Sequence, residues 1–317
     1  KDDRKEFFKA LVKNAGTDKE KARILYDYLQ TNMRYVSIQL GIGGLRPFPA
    51  SFVDSKKYGD CKALSNFLKS ALDAVGVKSN VVIIEGSMQP GLVLEDFPAN
   101  TFNHVILCVP NAADTTWLEC TSTTLPFGEL GPFTENRKAM LVTDDGGVLV
   151  NTPLSKYKSN AISFSTEINV NDDGGALVTA QYRSTGDERN DLLMGFHDLK
   201  EDDKKRLFIR HTEWKQPDNF ELSFSPRSAN PYLISTKMEY ENIASFKAGS
   251  KLFLEPRLYQ LFDKDIPETE KRRHDYYFDC PYEQTDTTIY KMPAGYTAES
   301  LPKDKNLQYP FAAYNAT

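Results

Sequence analysis

Cys61 follows Tyr58-Gly59-Asp60 and opens a run, Lys62 to Val75, whose apolar residues recur at helical spacing. A thiol in the first turn of a helix lies among unpaired backbone N–H groups at the positive end of the aligned peptide dipoles. That environment stabilises a thiolate, and the thiolate rather than the thiol is the nucleophile. Downstream, Phe102-Asn103-His104-Val105-Ile106-Leu107 reads as a strand carrying a histidine, and Thr116-Trp117-Leu118-Glu119-Cys120-Thr121 as a second strand carrying a carboxylate. The order is cysteine, histidine, acid.

A cysteine nucleophile needs a base, an acid for the leaving group and a third residue that orients the base. His104 can be both base and acid, because an imidazole titrates near neutrality. Glu119 would accept a hydrogen bond from the second ring nitrogen and favour the imidazolium. An oxyanion formed on an attacked amide carbonyl would be held by the Cys61 backbone N–H, with the side chain of Gln39 as an upstream donor. Asp60 and Asn103, the neighbours of the nucleophile and the base, are the supporting candidates. Each residue has an ordinary alternative: an inert buried thiol, a satisfied core histidine, an edge-strand carboxylate. Their order on helix, strand and strand favours the chemical reading. His197, His211 and His274 sit among charged residues without ligand spacing and are expected at the surface.

The elements that would position these groups are legible nearby. Residues 3 to 14 read as a short charged helix, and Thr17-Asp18-Lys19-Glu20 has the form of a capping box opening a second helix that ends near Asn32. Tyr35 to Leu40 alternates like a strand. Gly41-Ile42-Gly43-Gly44, Pro47 and Pro49 mark a loop; no Lys-Ser/Thr follows, so a phosphate cradle is not indicated. The cysteine helix runs to about Val75 with Gly76 as its cap, then Val77 to Glu85 forms a strand. The loop over 86 to 101 is positioned to wall a groove.

From about residue 157 the texture becomes β-rich. Ala161 to Val170 and Ala176 to Ser184 flank the hairpin signal Asn171-Asp172-Asp173-Gly174-Gly175. One helix is expected over Glu188 to Arg210, followed by strands at Phe220 to Ser225, Leu233 to Tyr240, Lys251 to Leu254, Asp275 to Cys280 and Thr287 to Lys291. The stretch Lys138 to Lys158 carries the chain across. The expected class is α+β, with a core over 1–150 and a mainly antiparallel, β-sandwich-like domain over 151–317.

Composition excludes several roles. A net charge of -5 with dispersed lysines and arginines offers no cationic surface for nucleic acid or anionic lipid. No apolar run approaches the roughly 18 residues of a membrane span, and no signal peptide is visible at Lys1. Four cysteines in 317 residues are not a disulfide framework. Were His104 to face Glu119 across an antiparallel pair, Cys108 would oppose Thr115 and Cys120 would lie on the other face, so no Cys108–Cys120 bridge is expected.

At these residues the chain resembles the transglutaminase-like superfamily, whose papain-like core sets a cysteine at a helix start, a histidine on one strand and an acid on the next. Gly43-Gly44-Leu45-Arg46-Pro47, Tyr58-Gly59-Asp60-Cys61-Lys62, Asn103-His104-Val105-Ile106 and Trp117-Leu118-Glu119-Cys120-Thr121 look like the bacterial branch with flanking β-rich domains of unknown function. The resemblance spans residues 17 to 140 and, more loosely, the remainder. It implies Cys61 as nucleophile, His104 as base and acid, and Glu119 where aspartate is commoner. It also implies a further β domain before the core in a longer parent chain, and a periplasmic or cell-surface location. The mammalian crosslinkers of this superfamily use calcium, but no Asp-x-Asp-x-Asp-Gly loop is present, and this triad needs no metal or other cofactor.

These residues admit two functions. One is thiol-dependent acyl transfer on amide bonds of a peptide or protein, with hydrolysis favoured over crosslinking because no second, water-excluding amine site is identifiable. The other is a catalytically silent binding or assembly module of the bacterial envelope. It would contact polysaccharide or protein through aromatic residues of the β domain, among them Tyr232, Tyr240, Phe246, Phe253, Tyr259, Phe262, Tyr276 and Tyr277.

Overall fold

A computed structural model describes residues 2–38, 40–88, 91, 93–97, 99, 101–111, 114–212, 214–258, 278, 280–301, 303–310 and 312–316. Gln39, His274, Tyr259, Phe262, Tyr276 and Tyr277 lie outside the described residues, as do four of the six residues of the strand expected over 275–280.

The first half is built around one amphipathic helix. Helices α1 (Asp2–Leu11), α2 (Asp18–Asn32) and α3 (Ala50–Lys56) pack on α4 (Cys61–Ala74). Thr17 and Glu20 close the expected capping box at the start of α2. In α4, Leu64, Phe67, Leu68, Ala71 and Leu72 face inward at the three- and four-residue spacing of one helix face, and Gly76 follows the helix at φ +77°. This face meets an antiparallel sheet ordered β5 (Thr115–Leu118), β4 (His104–Pro110), β3 (Asn80–Ile84), β6 (Lys138–Thr143) and β7 (Gly146–Asn151). Leu107, Val109 and Leu118 point toward the helices, while Val82, Ile84, Ile106 and Cys108 pack beneath Leu130 and Ala139 on the other side.

Three expectations change here. Of the extended segment anticipated over 35–40, only Tyr35 among the described residues falls within a strand, β1 (Arg34–Tyr35), which runs parallel to Tyr58–Gly59 (β2). Residues 138–151 do not simply carry the chain onward: they form the β6–β7 hairpin and extend the core sheet through the pairing of Val82 with Leu141. The β4–β5 register is two residues from the one assumed, with Leu107 opposite Leu118 and Cys108 opposite Trp117. A two-residue slip preserves facing because side chains alternate with period two. His104 and Glu119 are therefore diagonal rather than directly opposed, and Cys108 and Cys120 stay on different faces. Cys61, Cys108 and Cys120 are free thiols.

The second half is mixed and mainly antiparallel. Its five-stranded sheet runs β10 (Asn219–Phe224), β11 (Tyr232–Tyr240), β9 (Ala176–Ser184), β8 (Ala161–Val170) and β14 (Glu283–Lys291), with β14 alone parallel to its neighbour. The inner face, including Phe164, Ile168, Val178, Tyr182, Ile234 and Met238, is covered among the described residues by two helices rather than by the facing sheet of a sandwich. These are α5 (Gly186–Gly195) and α6 (Glu201–Thr212). The single helix expected there breaks after Gly195, a weak helix former, and the connecting segment contains Asp198 in the left-handed region at φ +61°. Small hairpins β12 (Phe246–Ala248) with β13 (Lys251–Phe253), and β15 (Lys305–Gln308) with β16 (Ala313–Ala316), complete the described elements.

Candidate active site

The cysteine is placed by its cap. Asp60 is the N-cap of α4: its carboxylate accepts from the Ala63 backbone N–H at 2.9 Å and pairs with Lys62 Nζ at 2.5 Å. Asp60 thus starts the helix at Cys61 and is itself satisfied, a supporting rather than reacting group. Gly59 lets the preceding turn close, since a Cβ there would lie 2.8 Å from the Ala63 Cβ. Gly59 O also accepts from Val36 N–H at 2.9 Å, so the segment after β1 runs beside the cysteine loop.

His104 opens β4. Its Nε2 lies 2.9 and 3.1 Å from the two Glu119 oxygens. An ionised carboxylate only accepts, so Nε2 carries the proton and Nδ1 is the ring nitrogen left for the Cys61 thiol. Burial would lower the histidine pKa, but the bonds to Cys61 and then Glu119, with the charges they carry, outweigh it and push it up to about 9. The imidazolium is therefore the favoured form at neutral pH, and it is the counter-charge that a thiolate needs. Cys61 is 3% exposed, His104 7% and Glu119 3%, so the three groups meet in a largely water-excluded setting. Burial pushes the Cys108 thiol up to about 11 and that of Cys120 higher still.

Glu119 lies just beyond β5 and is fixed by its near neighbour Thr121, which donates to Glu119 Oε1 from both the backbone N–H (3.0 Å) and Oγ1 (2.6 Å). The buried Tyr26 hydroxyl on α2 donates to Glu119 O at 3.0 Å. Asn103 forms two bonds to the Gly86 backbone, Gly86 N–H to Oδ1 at 2.7 Å and Nδ2–H to Gly86 O at 3.1 Å. These bonds hold the histidine strand to the end of β3.

Several contributors carry no signal along the sequence. Phe133 lies edge-on to the His104 ring, centroids 5.4 Å apart. Arg137 steadies its loop by donating to Pro132 O, Glu135 O and Ser87 O. Gly86 makes room, since a Cβ there would sit 2.6 Å from the Phe133 ring and 3.0 Å from the His104 Cβ. Tyr26 acts through a contact that only folding creates, 93 positions from Glu119 in the sequence. The other described histidines are more exposed and pair with carboxylates, His197 with Asp198 at 2.7 Å and His211 with Glu188 at 2.6 Å. Among the described residues, no group of three or more histidine, cysteine, aspartate or glutamate side chains could hold a metal ion, and no helix is long and apolar enough to cross a membrane.

No curated protein matches the chain. Among solved structures, a protein of Parabacteroides distasonis ATCC 8503, described provisionally as a protease, is similar with a TM-score of 0.43 at 14% identity, over 76% of this chain and 49% of that one. This chain thus spans about half the length of that protein. Legionella pneumophila LapG, in its EGTA-treated form, is similar with a TM-score of 0.31 at 13% identity, over 47% of this chain and 86% of that one. Its calcium-bound form gives 0.31 at 14% identity, over 48% and 90%. Two family profiles match the sequence: a Domain of Unknown Function with solved-structure structure (DUF3858) over residues 250–317, and the transglutaminase-like superfamily over residues 5–120. The latter span contains the cysteine helix, the histidine strand and the glutamate.

Proposed function

We propose that this chain is a cysteine hydrolase of peptide-type amide bonds, acting through Cys61, His104 and Glu119. The observation that carries the reading is the buried imidazole of His104 held by the Glu119 carboxylate at 2.9 Å, with the Cys61 thiol, at the start of α4, near enough to push the histidine pKa up. Cys61 Sγ attacks the carbonyl carbon, and the tetrahedral oxyanion takes a hydrogen bond from the Cys61 backbone N–H. The C–N bond breaks as His104 Nδ1–H gives its proton to the departing amine. Water, deprotonated by Nδ1, then attacks the thioester and releases the acid and the thiol; an amine in its place would give crosslinking. Phe133, 42% exposed and against His104, is the first apolar surface a substrate side chain would meet.

The test uses the intact chain and needs no known substrate. Under limiting iodoacetamide, Cys61 should be alkylated fastest of the four thiols, and His104→Ala should slow it. A mixed peptide library should be cleaved by the wild type and not by Cys61→Ala. Equal alkylation of all four cysteines would sink the reading. An envelope location belongs to the same proposal, and fractionation of cells that express the native gene tests it.

A second reading, a silent binding module, is favoured by one observation. Phe246 and Phe253 pair on the β12–β13 hairpin with centroids 5.4 Å apart, yet they are 61% and 50% exposed. Tyr232 and Tyr240 instead belong to the core. Retention of the chain on a polysaccharide or protein partner, lost in Phe246→Ala and unaffected by Cys61→Ala, would support this reading.

A further inference from the structure

The loop that carries Glu119 is gripped from two directions. From α2, Tyr26 bonds to Glu119 O, and Gln30 Nε2 donates to Ser122 O (3.0 Å) and Leu125 O (2.9 Å). Inside the loop, Ser122 Oγ accepts from the backbone N–H groups of Thr124 and Leu125, while Thr121 clasps the Glu119 carboxylate. The remaining grip comes from the second half of the chain. Arg189, on α5 and 4% exposed, donates to Thr124 O at 2.9 Å. Its other bonds, to Ala229 O and Arg227 O at 2.9 Å and to Asn190 Oδ1 at 3.1 Å, all lie in the second half. Arg227 adds a 3.3 Å bond from Nη2 to Thr123 Oγ1.

This grip is not a by-product of apolar packing. The core of the helical half and that of the second sheet share no residue. Beside Arg189 the seam contains a cavity of about 230 Å³ lined by Leu125, Glu129, Asn160, Gly186 and Asn190 among others. Thr124 is therefore held by directional bonds across a partly open seam. A guanidinium suits the task because its planar fork of donors reaches several carbonyl oxygens at once, which one ammonium nitrogen cannot do in the same plane.

We infer that Arg189, with Arg227 beside it, is a positioning residue: through Thr124 and Thr123 it fixes the loop that aims Glu119 at His104 Nε2, so that the second half forms part of the catalytic apparatus. This rests on the triad reading proposed above. The connection runs from Arg189 to Thr124 O, through the hydrogen-bonded Ser122 turn, along the peptide backbone to Thr121, and from Thr121 to the Glu119 carboxylate.

The experiment compares the intact wild type with Arg189→Lys and Arg227→Ala, reading three quantities. These are the midpoint of the His104 titration by NMR of ring-labelled histidine, the Cys61 alkylation rate near neutral pH, and the unfolding temperature. The expected result is that R189K moves the midpoint from near 9 toward the ordinary value of about 6.5 and slows alkylation about tenfold, the scale of one lost charge-assisted hydrogen bond. R227A gives a smaller shift in the same direction. A stability role alone would lower the unfolding temperature and leave the midpoint in place, and that outcome overturns the inference. If R189K does not fold, R227A, which removes an exposed bond, decides on the same midpoint: a shift supports the inference and no shift overturns it. Slow alkylation of wild-type Cys61 would defeat the triad reading, while the midpoint still tests the positioning.

Discussion

His104 is the residue on which the chemistry turns, because its two ring nitrogens face two different groups. Its folded pKa, pushed up to about 9, exceeds the unfolded value of about 6.5, so the folded state holds the proton more tightly. Linkage then sets the sign. The imidazolium stabilises the fold in full below about pH 6.5, progressively less as pH rises, and no longer once pH has passed about 9. Denaturant titrations at several pH values should accordingly show the wild-type advantage over His104→Gln shrinking across this window; an advantage that grew with pH would contradict it. Glu119→Gln keeps the side-chain size and removes the charge that holds the imidazolium. It should slow Cys61 alkylation at neutral pH roughly tenfold and draw the His104 midpoint down, both read as for the wild type.

At the scale of elements, the site depends on where α4 begins and how closely β3 and β4 approach the loop that carries Phe133. Asp60 determines the first point, since its carboxylate takes the Ala63 N–H that the helix leaves unpaired. Asp60→Ala should cost about 1 kcal/mol of stability, measured by urea unfolding, and should slow Cys61 alkylation as the first turn frays. Gly86 determines the second. Gly86→Ala brings a methyl group to within 2.6 Å of the Phe133 ring, so the ring or the histidine strand must shift. The expected outcome is a folded protein with slowed Cys61 alkylation, whereas an unchanged rate would show that the Phe133 contact does not position His104.

Across the whole molecule, Asn160 lines the cavity at the seam and gathers three segments that are distant in sequence. Its Nδ2 donates to Ser155 Oγ at 2.7 Å and Pro281 O at 2.9 Å, and its Oδ1 accepts from the Asp187 N–H at 3.1 Å. Gly186 is needed there because a Cβ would fall 2.0 Å from that oxygen. Asn160→Ala should destabilise the chain by about 3 kcal/mol, the order expected when several buried partners lose their bonds together. Urea unfolding followed by far-ultraviolet dichroism would measure this, and a loss below about 0.5 kcal/mol would show that water replaces the amide at no cost.

The sequence by itself determined the candidate groups and their local settings. Cys61 behind Asp60, the apolar spacing of α4, the capping box at Thr17 and the hairpin at Asn171–Gly175 are written within a few residues of one another, where capping, helical period and turn chemistry operate. The order of cysteine, histidine and acid was legible for the same reason. Tertiary structure decided the features that depend on distance through space. It set the two-residue register between β4 and β5, the recruitment of β6 and β7 into the core sheet, the break between α5 and α6, and the covering of the second sheet by helices. Above all it brought Tyr26 and Phe133 to the Glu119–His104 pair and Arg189 to the loop that follows Glu119. Their hydrogen bonds and ring contacts join residues up to 93 positions apart for Tyr26 and Glu119, and no local periodicity encodes such a meeting.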